Sequence, residues 1–362
     1  MAPAALLPTV TSTLPSTIPS TVPPTVVGPT TKRATRPTKK LPRSLIENAR
    51  VEQPVPFNPN KHLIYQAPEK IHKMADFGLD GAGISPNAIS EPFPLFTEEA
   101  IRQMRAEIFS EPVLAECQYA SSFCTNMIRG MGHARAPFIY DVWKSPEVLS
   151  KISAIAGIDL IPAFDYEIAN INIAIKDDDH QANGNGSTAA IKSSITDDNV
   201  PAFAWHYDSF PFVCVTMLSD CTEMVGGETA IRLPSGEIKK VRGPAMGYAV
   251  VMQGRYLEHQ ALKALGGRER ITMVTPFRPV DALVRDETIL VGTRGISNLA
   301  EMYPQYYEYR LEVLEERVRA QRKAERAREV AGKTFDVEAK RAWLREQREF
   351  LDSMLREMFI PE

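Results

Sequence analysis

The stretch from residue 166 to residue 278 contains about seven short segments with the pattern of β-strands. The first, Tyr166–Ile175, alternates apolar positions with mixed ones at a period of two. Others follow at 203–206, 212–218, 229–233, 238–241, 248–252 and 270–277, separated by Gly, Pro, Asn and Ser. Because no helical pattern lies between them, they predict a double-sheet jelly roll or barrel and not a parallel α/β sheet.

Helical patterns flank this strand-rich region. Thr97 is a plausible cap for a helix that runs through Phe109, and a second helix is predicted over Ser145–Ala156. Residues 304–330 and 337–359 are dense in Glu, Arg and Lys, and Gly332-Lys333 separates them, which predicts an antiparallel helical hairpin. The predicted fold class is therefore α+β, with N-terminal helices, a jelly-roll core and a C-terminal helical hairpin.

The same patterns divide the chain into regions. Residues 1–45 are rich in Pro, Ser and Thr and end in a basic cluster, so they are predicted to be disordered. A transit peptide is the alternative interpretation, although its prolines would spoil an amphipathic helix. We expect an arm with helices over 46–165, the jelly-roll core over 166–280 and a charged helical region over 281–362.

Composition excludes some functional classes. The 362 residues carry 42 Lys plus Arg against 45 Asp plus Glu, and a net charge of -3 gives no field that would draw the chain onto nucleic acid. We see no apolar run long enough to span a bilayer and no secretory signal, so a cytoplasmic protein is expected. The four cysteines lack zinc-binding spacing and are interpreted as free buried thiols. These features favour a small-molecule partner, without nucleic acid or membrane.

A candidate metal site begins at His206 and Asp208. Residues two apart on a strand project to the same side, so both side chains can reach one ion. His259 follows after several predicted strands and can return beside them. Two imidazoles and one carboxylate leave coordination positions open, which is the arrangement that non-haem iron(II) uses to bind a cosubstrate together with O₂. An HxD triplet taken alone is a weak signal.

Sequence elements downstream of the HxD triplet strengthen the interpretation of a metal site. Gly226-Gly227-Glu228-Thr229 forms a turn into a strand, the apolar strand Tyr248–Met252 leads towards His259, and Arg270 and Thr272 share one face of the next strand. An arginine followed two residues later by a hydroxyl can bind a carboxylate. In order and spacing, Tyr166–Pro279 resembles the catalytic core of the iron(II)- and 2-oxoglutarate-dependent dioxygenase superfamily, over about a third of the chain.

This resemblance implies a double-stranded β-helix core and a set of roles. His206, Asp208 and His259 match the Fe(II) ligands, while Arg270 and Thr272 match the residues that bind the distal carboxylate of 2-oxoglutarate. It also implies that O₂ is consumed and that an unactivated C–H bond is oxidised, by hydroxylation, desaturation or cyclisation. A small organic molecule, in particular a specialised metabolite of secondary metabolism, is the expected substrate.

Two assignments within the resemblance stay open. Arg268 points the same way as Arg270 and is its rival for the carboxylate of 2-oxoglutarate. Asn172, with Asn170, lies on the strand before the HxD triplet, where polar residues of the superfamily often contact the cosubstrate. Core-edge asparagines paired with the backbone are the structural alternative.

Three other interpretations remain. An iron oxidase of the same fold would not use 2-oxoglutarate, and a jelly-roll binding or regulatory protein would be non-catalytic. The charged C-terminal helices could serve assembly, as in a homodimer. The polar segment 176–200 is interpreted either as a mobile lid before the metal site or as a solvated insertion.

Overall fold

The computed structural model describes residues 22–30, 32–122, 124–175, 205–222, 225–241, 245–262, 264–265 and 269–361. The helices are α1 (Arg43–Asn48), α2 (Pro59–His62), α3 (Glu98–Ile108), α4 (Glu111–Glu116), α5 (Pro137–Lys144), α6 (Pro146–Ala156), α7 (Leu299–Val330) and α8 (Val337–Glu357). The strands are β1 (Ile71–Lys73), β2 (Asn87–Ser90), β3 (Phe93–Pro94), β4 (Gln118–Tyr119), β5 (Met127–Ile128), β6 (Leu160–Pro162), β7 (Asn170–Ile175), β8 (Phe212–Met217), β9 (Val225–Gly226), β10 (Thr229–Arg232), β11 (Ile238–Val241), β12 (Tyr248–Met252), β13 (Glu258–Ala261), β14 (Ala264–Leu265) and β15 (Glu269–Pro279). The segment 176–200, interpreted above as a lid or a solvated insertion, lies outside the described residues. Residues 203 and 204 of the strand predicted at 203–206 also lie outside them.

The large antiparallel sheet has the order β1-β2-β12-β8-β15-β7-β5-β4, with β3 beside β12 and β6 beside β15. Its long strand β15 pairs with both β7 and β8, so that Thr272 lies opposite Asn172 on one side and Met217 on the other. Ile271 and Met273 of β15 are buried, as are Ile171 and Ile173 of β7, whereas Ala174 is exposed. Period-two alternation therefore identified β7, although the strand begins at Asn170 and residues 165–167 form a 3-10 turn. Strands β1 to β6 were not among the predicted strands.

A smaller antiparallel sheet, in the order β11-β10-β13, lies across a cavity from the large one. Strand β10 sits in its middle and places Ile231 opposite His259 of β13. The sequence patterns predicted β10 and β11 but not the short strand β13, whose residues Glu-His-Gln-Ala have no apolar alternation. The observed class is thus a mixed arrangement of helices and antiparallel sheets.

Helices of the N-terminal half cover the large sheet. In α3, the Thr97 side chain accepts a hydrogen bond from the Ala100 N–H at 3.2 Å, and Ile101 and Met104 are fully buried, as the sequence predicted. Helix α6 begins after its Ser145 cap and packs Val148 inward, which confirms the second predicted helix. Helix α5 was missed because its eight residues are fewer than the window over which a helical period can be identified, although its exposed residues, Pro137, Asp141 and Lys144, do share one face.

The C-terminal helices form the predicted antiparallel hairpin, since Arg310 of α7 contacts Phe350 of α8 while Glu325 pairs with Lys340. The face of α7 that packs inward contains Tyr306, Tyr309, Val313 and two arginines. Arg310 is buried against Asp286 at 2.8 Å, and its guanidinium lies 3.6 Å from the centroid of the Phe350 ring. Buried ion pairing and cation-π contacts select this face, which hydrophobicity alone would not indicate.

The disorder predicted for residues 1–45 does not hold for the described part of that segment. Val26 and Leu41 are buried, and Arg255 donates a hydrogen bond to the Pro24 carbonyl. Gly28 approaches Val291 so closely that an added Cβ would lie 2.3 Å from the Val291 carbonyl oxygen. A few apolar anchors and backbone hydrogen bonds thus order a segment whose average composition is typical of disorder.

None of the helices among the described residues is both long and apolar enough to cross a membrane.

Glu107 of α3 makes the stability of the fold depend on pH. Burial raises the pKa of its carboxyl to about 7, although its oxygens accept hydrogen bonds from the Phe138 and Ile139 N–H groups at 2.8 and 3.0 Å. The folded pKa lies above the unfolded value of about 4.3, so the folded state releases the proton at a higher pH than the unfolded state. This contribution to stability is therefore complete below the unfolded pKa and is lost as the pH rises towards 7.

We expect wild-type protein to lose about 2–3 kcal/mol of stability between about pH 5 and pH 8 through this group. Glu107→Gln, which keeps an acceptor oxygen and removes the charge, should abolish most of that dependence. Circular dichroism melts at both pH values measure it, with Glu98→Gln on the exposed face of the same helix as the control. Identical pH slopes for wild type and Glu107→Gln would contradict the prediction.

Candidate metal centre and its cavity

Backbone pairing brings the two predicted histidines together. The His206 N–H donates to the His259 carbonyl at 2.9 Å, and the His259 N–H donates to the His206 carbonyl at 3.0 Å. This antiparallel bridge leaves the imidazole centroids 4.3 Å apart. The Asp208 N–H donates to the Gly254 carbonyl at 2.9 Å, which fixes the third predicted residue beside them.

The donor atoms of these three residues converge on one point. Oδ1 of Asp208 lies 3.7 Å from Nε2 of His206 and 3.7 Å from Nε2 of His259. One donor atom from each residue lies within 4.8 Å of the others. Two donors that bond one ion at roughly 2.1 Å stand at most about 4.2 Å apart, so both measured pairs are within the range that a shared metal allows.

The second oxygen of the carboxylate supports the same conclusion. Oδ2 of Asp208 is buried and has no hydrogen-bond partner among the described residues. Buried polar atoms of this kind are rare and cost about 1–3 kcal/mol each unless a metal, water or ligand satisfies them. Gly254 makes room for this oxygen, since an added Cβ would lie 1.8 Å from it.

His259 is also oriented for a metal. Its Nδ1 lies 2.9 Å from the Leu257 carbonyl oxygen, which can only accept a hydrogen bond. Nδ1 therefore carries the proton and Nε2 keeps its lone pair free for an ion. His206, Asp208 and His259 thus fit a two-histidine, one-carboxylate ligand set with open positions, which suits iron(II).

The three residues border a cavity of about 180 Å³ between the two sheets. A single water requires roughly 10–15 Å³ by this measure, so the cavity can hold a small organic molecule. Its wall includes Asn170, Asn172, Arg270 and Thr272, together with Val27 of the segment that precedes α1. The structure therefore places the metal candidates and the cosubstrate candidates on one cavity.

Arg270 is buried in this wall without a counter-ion among the described residues. Its guanidinium donates only long hydrogen bonds, of 3.3 and 3.4 Å, to the Gly227 carbonyl. Desolvation by burial lowers the pKa of Arg270, which shows that the site lacks a full compensating charge. A carboxylate bound here would gain a charge-assisted pair with the guanidinium and lie near the buried Thr272.

Among the other predicted residues, Asn172 lines the cavity and lies opposite Thr272. Arg268 lies outside the described residues, so its role as the alternative to Arg270 for binding the carboxylate of 2-oxoglutarate stays a prediction. Sequence reasoning missed Arg129 and Glu167, which also line the cavity. Neither residue belongs to a motif, and only the pairing of β5 with β7 brings them to this wall.

No protein-family model matches the chain, and no curated protein sequence matches it. Among solved structures, it resembles a 2OG-Fe(II) oxygenase family oxidoreductase from Burkholderia pseudomallei, with 14% identity and a TM-score of 0.30 over 42% of this chain and 65% of that one. It therefore spans less than two thirds of that oxygenase. A Pseudomonas putida prolyl-4-hydroxylase has 17% identity and a TM-score of 0.31 over 50% of this chain and 87% of that chain.

The non-heme alpha ketoglutarate dependent epimerase SnoN from nogalamycin biosynthesis has 16% identity and a TM-score of 0.31, over 48% of this chain and 76% of that one.

The contact between Gly254 and Asp208 can be tested directly. We expect Gly254→Ala to weaken iron(II) binding by about 10- to 100-fold, because its methyl group would displace the Asp208 carboxylate. Anaerobic isothermal titration calorimetry with iron(II) measures the affinity. Gly332→Ala, in the turn between α7 and α8, is the control: it strains the backbone at φ +61°, but its added Cβ meets nothing within 4 Å and leaves the metal candidates untouched. An unchanged iron(II) affinity in Gly254→Ala would show that Asp208 is not held as described.

Proposed function

We propose that the protein is an iron(II)- and 2-oxoglutarate-dependent dioxygenase that oxidises an unactivated C–H bond of a small organic molecule. The observation that carries this proposal is the convergence of His206, Asp208 and His259 on the cavity that also contains Arg270. Among the described residues, one buried oxygen of Asp208 has no hydrogen-bond partner and Arg270 forms no ion pair. The two antiparallel sheets that enclose this cavity support the interpretation of the core as a double-stranded β-helix.

Each residue then has a physical task. His206, Asp208 and His259 would hold iron(II), and Arg270 with Thr272 would bind the distal carboxylate of 2-oxoglutarate, with Asn172 beside it. Iron(II) chelated by a 2-oxo acid supplies the reduction of O₂ that oxidation of a C–H bond requires. The chain contributes fixed ligand positions, a buried cation that orients the cosubstrate, and apolar walls that exclude water.

Composition and cavity size support a small-molecule substrate, and a specialised metabolite remains our interpretation. Hydroxylation, desaturation and ring formation are all compatible with this site. The cytoplasmic location and a homodimer through α7 and α8 stay predictions from the sequence. A non-catalytic binding protein would lack stoichiometric iron, and an oxidase of the same fold would turn over without 2-oxoglutarate.

The decisive experiment is an anaerobic titration of the protein with iron(II) and 2-oxoglutarate, followed through the metal-to-ligand charge-transfer absorption band. We expect a saturable band in wild type and none in Asp208→Ala. Arg270→Met should raise the half-saturating 2-oxoglutarate concentration by about 10- to 100-fold, because a charge-assisted contact of about 1.5–3 kcal/mol is lost.

Arg319→Met, on the exposed surface of α7, serves as the control and should titrate like wild type. Absence of the band in a folded wild-type protein would refute the proposal that 2-oxoglutarate is the cosubstrate. A normal band in Arg270→Met would instead reassign the carboxylate contact, with Arg268 as the next candidate.

A further inference from the structure

A second polar cluster faces the metal candidates across the same cavity. It consists of Arg129, directly after β5, Glu167, in the turn before β7, and Asn170, at the start of β7. We call these three residues the polar cluster. The proposed metal and cosubstrate roles do not use Arg129 or Glu167, so the presence of two charges in this wall needs its own explanation.

The cluster is buried and tightly connected. Arg129, Glu167 and Asn170 are 5%, 0% and 8% exposed. Nη2 of Arg129 donates to both carboxylate oxygens of Glu167, at 2.6 and 2.8 Å, and Nδ2 of Asn170 donates to Oε2 of Glu167 at 2.8 Å. Glu167 thus holds the two other side chains side by side, with their nitrogens less than about 6 Å apart.

Two polar atoms of the cluster are left without partners. Nε of Arg129, a donor, and Oδ1 of Asn170, an acceptor, are buried and make no hydrogen bond with any described residue. Each such atom costs about 1–3 kcal/mol, and a pair of them in one cavity wall is unusual for a purely structural ion pair. A ligand that carries an acceptor next to a donor would satisfy both residues.

The backbone next to Arg129 and next to Asn170 adopts positive φ angles. Gly130 has φ +65°, and an added Cβ there would lie 2.3 Å from the Tyr166 ring. Ala169, directly before Asn170, has φ 60°, which is uncommon for a residue with a side chain. Gly130 adopts its φ without strain, but Ala169 does not, and strained positions of that kind cluster at ligand sites.

Charge decides the class of ligand. Arg129 and Glu167 already neutralise each other, so a ligand with a net charge at this point would bury that charge without compensation. A zwitterion adds one charge of each sign, with its carboxylate towards the Arg129 guanidinium and its ammonium towards Asn170 Oδ1. The short separation of the two side-chain heads fits a carboxylate and an amine on neighbouring atoms.

The remaining wall is largely apolar. It contains Phe210, Val213, Val274, Pro276 and Ile296. A ligand anchored at the polar cluster would therefore lay an apolar side chain along this wall, towards the metal candidates.

We propose that the polar cluster is the recognition subsite for the oxidisable substrate, and that this substrate carries an α-amino acid head group with an apolar side chain. The inference rests on the proposed oxygenase function and names its substrate class. Asn170 and Arg129 contact the head group, and Glu167 positions both of them.

Binding can be measured without turnover. The full-length protein, free of added metal, is screened by saturation-transfer difference NMR against the twenty proteinogenic L-amino acids. The methyl ester and the decarboxylated amine of each binding amino acid are then compared. We expect at least one amino acid with an apolar side chain to bind, and its ester and amine to bind at least about tenfold weaker, the equivalent of about 1.4 kcal/mol.

Variants separate recognition from folding. The double replacement Arg129→Met with Glu167→Met removes both charges together and is expected to fold, because apolar replacement of a buried pair is often neutral. It should lose amino acid binding while the charge-transfer titration with 2-oxoglutarate stays at its wild-type midpoint. Asn170→Leu leaves the ion pair in place and should weaken amino acid binding at least about tenfold. Arg36→Met, at an exposed arginine in the segment that precedes α1, is the matched control.

The proposal is overturned if no amino acid binds wild type, if esters bind equally well, or if the variants retain binding. A parallel loss of 2-oxoglutarate affinity in the variants would assign the cluster to the cosubstrate and would also overturn it. If wild type gives no charge-transfer band but binds amino acids through Arg129, the oxygenase function fails and the subsite stands.

Discussion

The site depends on one pair of backbone hydrogen bonds, between residues 206 and 259. They join a segment next to the large sheet to a strand of the small sheet, and so set the distance between the two imidazoles before any metal binds. The Asp208–Gly254 hydrogen bond adds the carboxylate to the same frame. Since side-chain entropy is largely removed in advance, an ion meets donors that already converge, and this preorganisation favours tight binding.

Charge is distributed unevenly around the cavity. Among the described residues, Arg270 forms no ion pair and feels only the more distant charge of Glu228, whereas Arg129 is neutralised by Glu167. A buried guanidinium without a close counter-ion raises the affinity for an anion, and a neutralised pair favours a ligand without net charge. Two arginines on one cavity can therefore select different molecules, which is what an enzyme with a cosubstrate and a substrate requires.

Much of this could be predicted from the sequence, because the relevant signals are local. Period-two alternation identified β7, apolar segments bounded by turn residues identified β8, β12 and β15, capping identified α3, and the HxD triplet identified two of the three convergent side chains. Signals that are short or that arise only from tertiary packing were missed. Helix α5 has only eight residues, β13 is short and polar, and Arg129 reaches the cavity only because β5 pairs with β7. The burial of Arg310 and Arg317 in α7 depends on partners distant in the chain, which no periodicity reveals.

The described segment before α1 has a consequence for how the protein is handled. Val27 lies at the edge of the cavity although it belongs to a stretch rich in Pro, Thr and Val, and neighbouring Val26 and Gly28 pack against the domain. Trimming this stretch to obtain a shorter protein for crystallisation would remove Val27 together with these packing contacts. A fragment that retains every metal candidate would then have a wider cavity mouth.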